Sequence, residues 1–317
     1  MNESEIKLFA RTEFEMSQGM CLMKFGGASL ENADAIYASS HSVLSFEEQG
    51  RFPIVVVSAM RGVTDVLREL HYERANTKVA AEIFKSVLGV HVNTVFDLNL
   101  GDQLSMDVLT KLYRVGLDLE DELFYNPHES EGSSYDRIVS AGEKMASSIM
   151  VASLMANGRA AFGINSENIV VTDNSHGSAH PDRQETRRRA VGIKNGLKKD
   201  GSTRIPVITG FIGSTPEGEI TTLGANSSDY SAVLLAEAMG ISDVYFMKDV
   251  DGVYKSSDSI RDPNCLIREI SLDNFESVEG NEKLLCKSVK EVARVNNQRL
   301  HVVHFRNPTQ IGTTITC

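Results

Sequence analysis

Short apolar runs alternate with stretches whose apolar residues recur every three or four positions, and the alternation continues for most of the chain. Cys21-Leu22-Met23-Lys24-Phe25 is an apolar run that stops at Gly26-Gly27, and a helical pattern follows through Ala33, Ile36, Tyr37 and Leu44. Ile54-Val55-Val56-Val57 is apolar at every position, as a strand buried on both faces of a parallel sheet must be. From about Asp65 to Phe124 the spacing is helical. Ile138-Val139 is another short apolar run, and a helix is predicted from Gly142 to Ala156. Ala161 to Ile164, Ile169 to Val171, Ile205 to Thr209 and Val244 to Met247 read as strands. Asp229 to Met239 and Leu284 to Val295 read as helices, and Leu300 to Phe305 and Thr313 to Ile315 as closing strands. Strands alternating with helices predict an α/β fold, a mostly parallel open sheet with helices on both faces. No internal repeat or linker interrupts the pattern, so one composite sheet is expected.

Charge and cysteine content narrow the function classes. Against 32 basic residues stand 43 acidic ones, a net charge of −11. Such a field repels nucleic acid and anionic membrane, so neither is an expected partner. An anionic substrate would need locally concentrated lysines and backbone amides. Cys21, Cys265, Cys286 and Cys317 form no CxxC pair and no cluster with zinc spacing, so no metal site is predicted. Cys21 and Cys286 are expected to be buried thiols, in keeping with a reducing, cytoplasmic compartment. No run approaches 18 consecutive apolar residues. Residues 1–19 carry four glutamates and no apolar signal region, and read as a mobile extension ahead of a single domain at 20–317.

Three loops carry candidate chemistry. Lys24-Phe25-Gly26-Gly27-Ala28-Ser29 follows a strand and precedes a helix. Paired glycines permit a sharp turn and close approach to a ligand, and amides at a helix start suit phosphate. Lys24 could neutralise a transferring phosphoryl group; taken alone, the loop is equally a plain strand-to-helix turn. The second loop runs from Gly210 to Asp229, with four glycines and several hydroxyls, too many small residues for a mere connector. Within it, Pro216-Glu217-Gly218 reads as a hairpin turn, and Ser227-Ser228-Asp229 as a helix start with an acidic first turn. The third is Lys248-Asp249-Val250-Asp251-Gly252-Val253-Tyr254, at a strand end, where open α/β sheets bind ligands. Its aspartates could orient a ribose, bind Mg²⁺ through water, or make Asx turns.

Together these stretches resemble the aspartokinases of the amino acid kinase family. The family's KFGGTS is KFGGAS at Lys24 to Ser29, and its SAMGGVTN is matched from Ser58 to Asp65. Its SxGE is Ser140 to Glu143, GFIGSTPEGEITTLG is reproduced from Gly210 to Gly224, SDY is Ser228 to Tyr230, and DVDGVY is Asp249 to Tyr254. The resemblance implies a three-layer α/β/α sandwich with a substrate lobe at about 20–200 and a nucleotide lobe at about 201–317. It implies phosphoryl transfer from ATP with Mg²⁺ to a side-chain carboxylate, giving an acyl phosphate. Carried over by position, Lys24 stabilises the phosphoryl group and Asp229 orients the lysines around it. Gly26, Gly27, Ser58, Arg61, Thr64, Glu143, Ala225 and Ser228 then hold the acceptor, with Glu143 on its ammonium. Lys24, Gly27, Lys248, Asp249, Tyr254 and Lys283 hold nucleotide.

Departures from the family bear on the acceptor. Ala225 stands where the family's arginine grips the α-carboxylate of aspartate, and a contact of that kind is worth on the order of 2–5 kcal/mol. Arg61 stands where the family has glycine, and could return a guanidinium from another direction or simply face solvent. The expected acceptor is therefore aspartate or a close amino-acid analogue, in a specialised biosynthetic pathway. Alternatives are a phosphate, phosphonate or carbamate acceptor, or a ligand-binding homologue without catalysis. The resemblance also implies regulatory ACT modules beyond a catalytic domain, and none is expected within this sequence. It leaves oligomeric state open, since catalytic domains of the wider family also pair directly into homodimers.

Overall fold

The computed structural model describes residues 19–124, 131–199, 202–224, 227–256, 262–278, 280, 284–308 and 312–317. The residues of the acidic extension before Gly19, together with Ala225 and Lys283, lie outside them. The chain opens with β1 (Met20–Phe25), α1 (Ala33–Glu48) and β2 (Phe52–Val57), followed by four helices in succession. These are α2 (Val63–Glu73), α3 (Thr77–Asp97), α4 (Asp102–Phe124) and α5 (Glu131–Ala156). Next come β3 (Ala161–Ile164), α6 (Arg183–Gly196) and a small hairpin of β4 (Lys198–Lys199) and β5 (Ser202–Thr203). Then follow β6 (Ile205–Thr209), the antiparallel pair β7 (Ile212–Ser214) and β8 (Ile220–Thr222), α7 (Ser228–Met239) and β9 (Asp243–Lys248). The chain closes with β10 (Val253–Tyr254), β11 (Leu266–Ile267), β12 (Glu269–Ser271), α8 (Leu272–Phe275), α9 (Lys287–Asn296), β13 (Arg299–His304) and β14 (Thr313–Thr316).

Eight strands form one sheet in the order β12-β14-β13-β9-β1-β2-β6-β3, parallel from β13 to β3 and antiparallel between β13 and β14. β1 sits between β2 and β9, the neighbours formed before and after the long helical excursion. Its carboxyl end is therefore a switch point where an open α/β sheet leaves a crevice. The apolar strands separate two cores. On one face Met23, Phe25, Val55 and Val57 pack against the helices α1 to α5, with Ile36, Leu67, Leu112 and Met145 fully buried. On the other, Leu22, Ile54, Val244 and Phe246 pack against α7 and α9 through Val233, Leu234 and Val289. This is the three-layer arrangement expected from the pattern.

Several elements differ from the sequence reading. Ile138 and Val139 belong to the helix that also carries Glu143, because α5 starts at Glu131 and runs unbroken. Ile169 to Val171 is no regular strand: it follows a 3-10 turn at Ser166–Asn168, and only Val171 bridges, to Ser214. The last long helix starts at Lys287 rather than Leu284, with Cys286 as its cap and only half-buried. Cys21 is buried as expected, and burial pushes its thiol up to about 12. α3 is long and apolar enough to cross a membrane by length and mean hydropathy, 1.2, yet it lies on α2 and α4 through Ala80, Val87 and Val95.

Candidate active site

The glycine loop after β1 works by proximity rather than by unusual backbone angles. Gly26 has an ordinary extended conformation, φ −89. A Cβ there would lie 3.2 Å from the Lys24 amine, and one on Gly27 would lie 3.2 Å from the Arg61 Cα. A side chain at either position would crowd the Lys24 head or the loop that carries Arg61, which would have to give by a few tenths of an ångström. The amides after Gly26 belong to a 3-10 turn, Gly27–Leu30, and not to an α-helix as the sequence reading supposed. Its Ser29 amide and hydroxyl both donate to the Gly26 carbonyl, at 3.0 and 2.8 Å.

Lys24 leaves β1 buried and forms a 2.6 Å ion pair with Asp229, in the first turn of α7. Lys248, at the end of β9, reaches the other Asp229 oxygen at 2.7 Å. Burial would raise the Asp229 carboxyl, but the two ammonium groups outweigh it and hold it below the usual carboxylate range. Burial likewise lowers Lys24, against the opposing pull of Asp229. The start of α7 is tied down by Ser58 Oγ donating to Ser228 Oγ at 2.7 Å, and by the Ser231 hydroxyl accepting from the Phe211 amide at 2.7 Å. Ser227 occupies the cap position without a side-chain cap bond. Phe211 takes φ +68, an uncommon angle for a bulky residue. A Cβ on the preceding Gly210 would lie 3.1 Å from Ser228.

These groups line one cavity of about 650 Å³ at the carboxyl ends of β1, β2 and β9. Lys24, Gly26, Gly27, Ser58, Arg61, Thr64, Glu143, Ser228, Asp229, Lys248 and Asp249 all face it. Tyr254 is not among them: it is buried on β10, where its hydroxyl donates to Asp251 at 3.2 Å. Glu143, on α5, is 2% exposed. Burial raises its carboxyl to about 8, opposed by the Ala59 amide, its own amide and the more distant Lys24 charge. One of its oxygens has no partner among the described residues. A buried acid with a free oxygen facing a cavity is poised for a cationic group. Arg61 is half exposed at the mouth, donating to Glu31 and Asp249 at 3.2 Å each.

Some lining residues escaped the sequence reading: Asp65, Arg68, Phe211 and Met247. Arg68 lies four positions after Thr64 and so on the same helix face, a spacing that was legible. A second group, outside the cavity, braces its walls. Asp136 is buried on α5, two turns before Glu143. It accepts from His176 Nδ1 at 2.8 Å, from the Gly177 amide at 3.0 Å and from the Thr222 hydroxyl at 2.5 Å. Thr222 ends β8, the strand that leads toward Ser228. No spacing in sequence announces this brace, because its members come from three distant segments.

The profile of the amino acid kinase family matches residues 19–304. Aspartokinase 1, chloroplastic, of Arabidopsis thaliana is 28% identical over 323 residues, covering 98% of this chain and 54% of that protein. The aspartokinase of Helicobacter pylori strain J99 is 29% identical, covering 93% of this chain and 59% of the other. The chain thus spans little more than half the length of these curated relatives. Among solved structures, E. coli aspartokinase III in complex with aspartate and ADP superposes with a TM-score of 0.78 at 25% identity, covering 94% of this chain and 64% of that one. Carbamate kinase from Giardia lamblia bound to AMP-PNP shares the fold alone, with a TM-score of 0.53 at 11% identity over 95% of this chain and 99% of that one.

Proposed function

The chain belongs to the amino acid kinase family, and from that premise we propose that it transfers the γ-phosphoryl group of ATP to a carboxylate of aspartate or a close amino-acid analogue. The observation that carries this reading is Asp229 pinned between Lys24 and Lys248 in one cavity with the buried Glu143. Asp229 accepts from two ammonium groups and is held ionised in a depressed range, so it is an orienter and a poor general base. A carboxylate acceptor needs no base. Its oxygen attacks phosphorus, the bond from phosphorus to the bridging oxygen breaks, ADP leaves, and no proton moves. What remains is alignment and charge neutralisation, the ordinary content of phosphoryl transfer.

The roles follow from placement. Lys24 and Lys248, aimed by Asp229, flank the migrating phosphoryl group, and the Gly26-Gly27 turn passes close beneath it. Glu143 takes the acceptor's ammonium, with Thr64, Ser58 and Ser228 as hydroxyl partners around it. Arg61 and Asp249 lie at the mouth, on the nucleotide side. Among the described residues no three carboxylate, imidazole or thiolate groups converge on a point. A Mg²⁺ arriving on the nucleotide's own phosphates would find Asp249, which lines the cavity, as a carboxylate neighbour. The metal supplies further neutralisation of phosphate charge. Inorganic phosphate and carbamate acceptors fit less well, because neither brings an ammonium for Glu143.

A panel of amino acids incubated with MgATP and hydroxylamine tests the reading. An acyl phosphate is trapped as its hydroxamate, with aspartate-like acids expected to respond and Lys24→Ala expected to abolish the signal. A chain that consumes ATP with carbamate or phosphate, and gives no hydroxamate with any carboxylic acid, would overturn it.

A further inference from the structure

The cavity holds four cationic side chains among its described lining residues, Lys24, Lys248, Arg61 and Arg68, each with a partner. Lys24 and Lys248 share Asp229, at 2.6 and 2.7 Å, at the ends of β1 and β9. Arg61 spans the mouth between Glu31 and Asp249, and Asp249 follows β9 on the side assigned above to nucleotide. Arg68 stands apart. It comes from the second turn of α2, directly after the turn that carries Thr64, and its side chain is 33% exposed. Its Nε donates to the Tyr135 hydroxyl of α5 at 3.2 Å, and its Nη1 to Asp65 at 3.1 Å. Its Nη2 has no partner among the described residues.

Two features make this guanidinium a receptor rather than a surface charge. The Tyr135 contact fixes the plane of the fork from a second helix, so little ordering remains to be done when a ligand arrives. The contact with Asp65 is an exposed i,i+3 pair, of the kind worth little, so an entering carboxylate can displace it at small cost and take Nη1 and Nη2 together. The helices involved touch. A Cβ on Gly142 would lie 2.8 Å from the Ala59 side chain and 3.1 Å from Val63, so α2 lies against α5 one residue before Glu143. Glu143 and Arg68 thus face the same cavity from two helices in contact, one offering a buried oxygen to an ammonium and the other a fork to an acid.

We propose that Arg68 grips a second carboxylate of the acceptor, the one that is not phosphorylated, and so selects acceptors carrying an ammonium and two acid groups. This rests on the acceptor reading above and adds to it a specificity-determining residue. The selectivity sits on α2 and does not depend on the Arg61 pair at the mouth.

Calorimetric titration of the full chain with L-aspartate and with aspartate α-amide tests the assignment, with ADP as a control ligand. Wild-type chain is expected to bind aspartate about 10- to 100-fold more tightly than the amide, the range of one charged hydrogen-bonded contact. Arg68→Ala should erase that preference by weakening aspartate alone, leaving the amide and ADP unchanged. Arg68→Lys, which keeps the charge and loses the fork, should fall between. Arg68→Ala chain that binds aspartate as tightly as wild type overturns the proposal alone. So does a variant that loses aspartate, amide and ADP together, since that marks a structural role. Wild-type chain that binds aspartate and amide equally also overturns it. Wild-type chain that binds ADP but neither acceptor overturns it together with the acceptor reading.

Discussion

The acceptor role proposed for Glu143 makes binding depend on pH. Its carboxyl is raised to about 8 because it is buried with one oxygen unpartnered. At pH 7 the empty site therefore holds a mostly neutral acid. An acceptor's ammonium prefers the carboxylate, so binding must expel that proton. Being about one unit below the pKa costs ~1.4 kcal/mol, or tenfold in affinity. Acceptor affinity should thus rise about tenfold from pH 6 to pH 7, less toward pH 8, and level off above it. Titration calorimetry in buffers of different ionisation heat should show net proton release on acceptor binding at pH 7, diminishing above pH 8. Glu143→Gln should bind more weakly and lose both the slope and the release. The unliganded chain should respond in the opposite sense. Between the ordinary carboxylate range and about 8 the folded state holds a proton that the unfolded state has lost, so stability falls as pH rises through that window. The melting temperature of wild type should drop relative to Glu143→Gln across it. Acceptor affinity independent of pH from 6 to 8, or release of no proton, would refute the argument.

Other substitutions probe the remaining parts. Lys24→Ala should lower kcat by roughly 10²–10³-fold, as the loss of one preorganised donor does elsewhere, and a smaller loss in single-turnover assays would argue against its role. Asp136→Ala leaves the His176, Gly177 and Thr222 donors without their acceptor. Each buried unpaired group costs about 1–3 kcal/mol, so denaturant unfolding should show a large loss, partly recovered by Asp136→Asn. Gly142→Ala drives a methyl to 2.8 Å from Ala59 and 3.1 Å from Val63. Overpacking there should cost about 1–3 kcal/mol, less the ~1 kcal/mol that alanine returns to the helix, and should raise the acceptor KM more than the nucleotide KM.

What could be read from the sequence and what could not divide along a physical line. Strands such as Ile54 to Val57 declare themselves because a run buried on both faces has no polar position, a property of the run itself. The loops after β1 and β9 were legible as candidates from a lysine at each strand end with glycine downstream, although each taken alone could be a plain turn. Their mechanics were not: Arg61 crowds Gly27, and that approach exists only once β1 and β2 are paired. The same holds for Glu143, whose raised carboxyl comes from burial where α5 meets the loop that carries Ala59. Arg61 shows the limit most clearly. Its position just before α2 left it open between a guanidinium for the acceptor and a solvent-facing arginine, and in the fold it lines the cavity, half exposed, with Glu31 and Asp249 as partners. Arg68, four residues after Thr64 on α2, lines the same cavity as Glu143. Spacing along one helix names the face a side chain occupies. Which groups that face meets depends on the helix packed against it, and here α2 lies against α5 at Gly142.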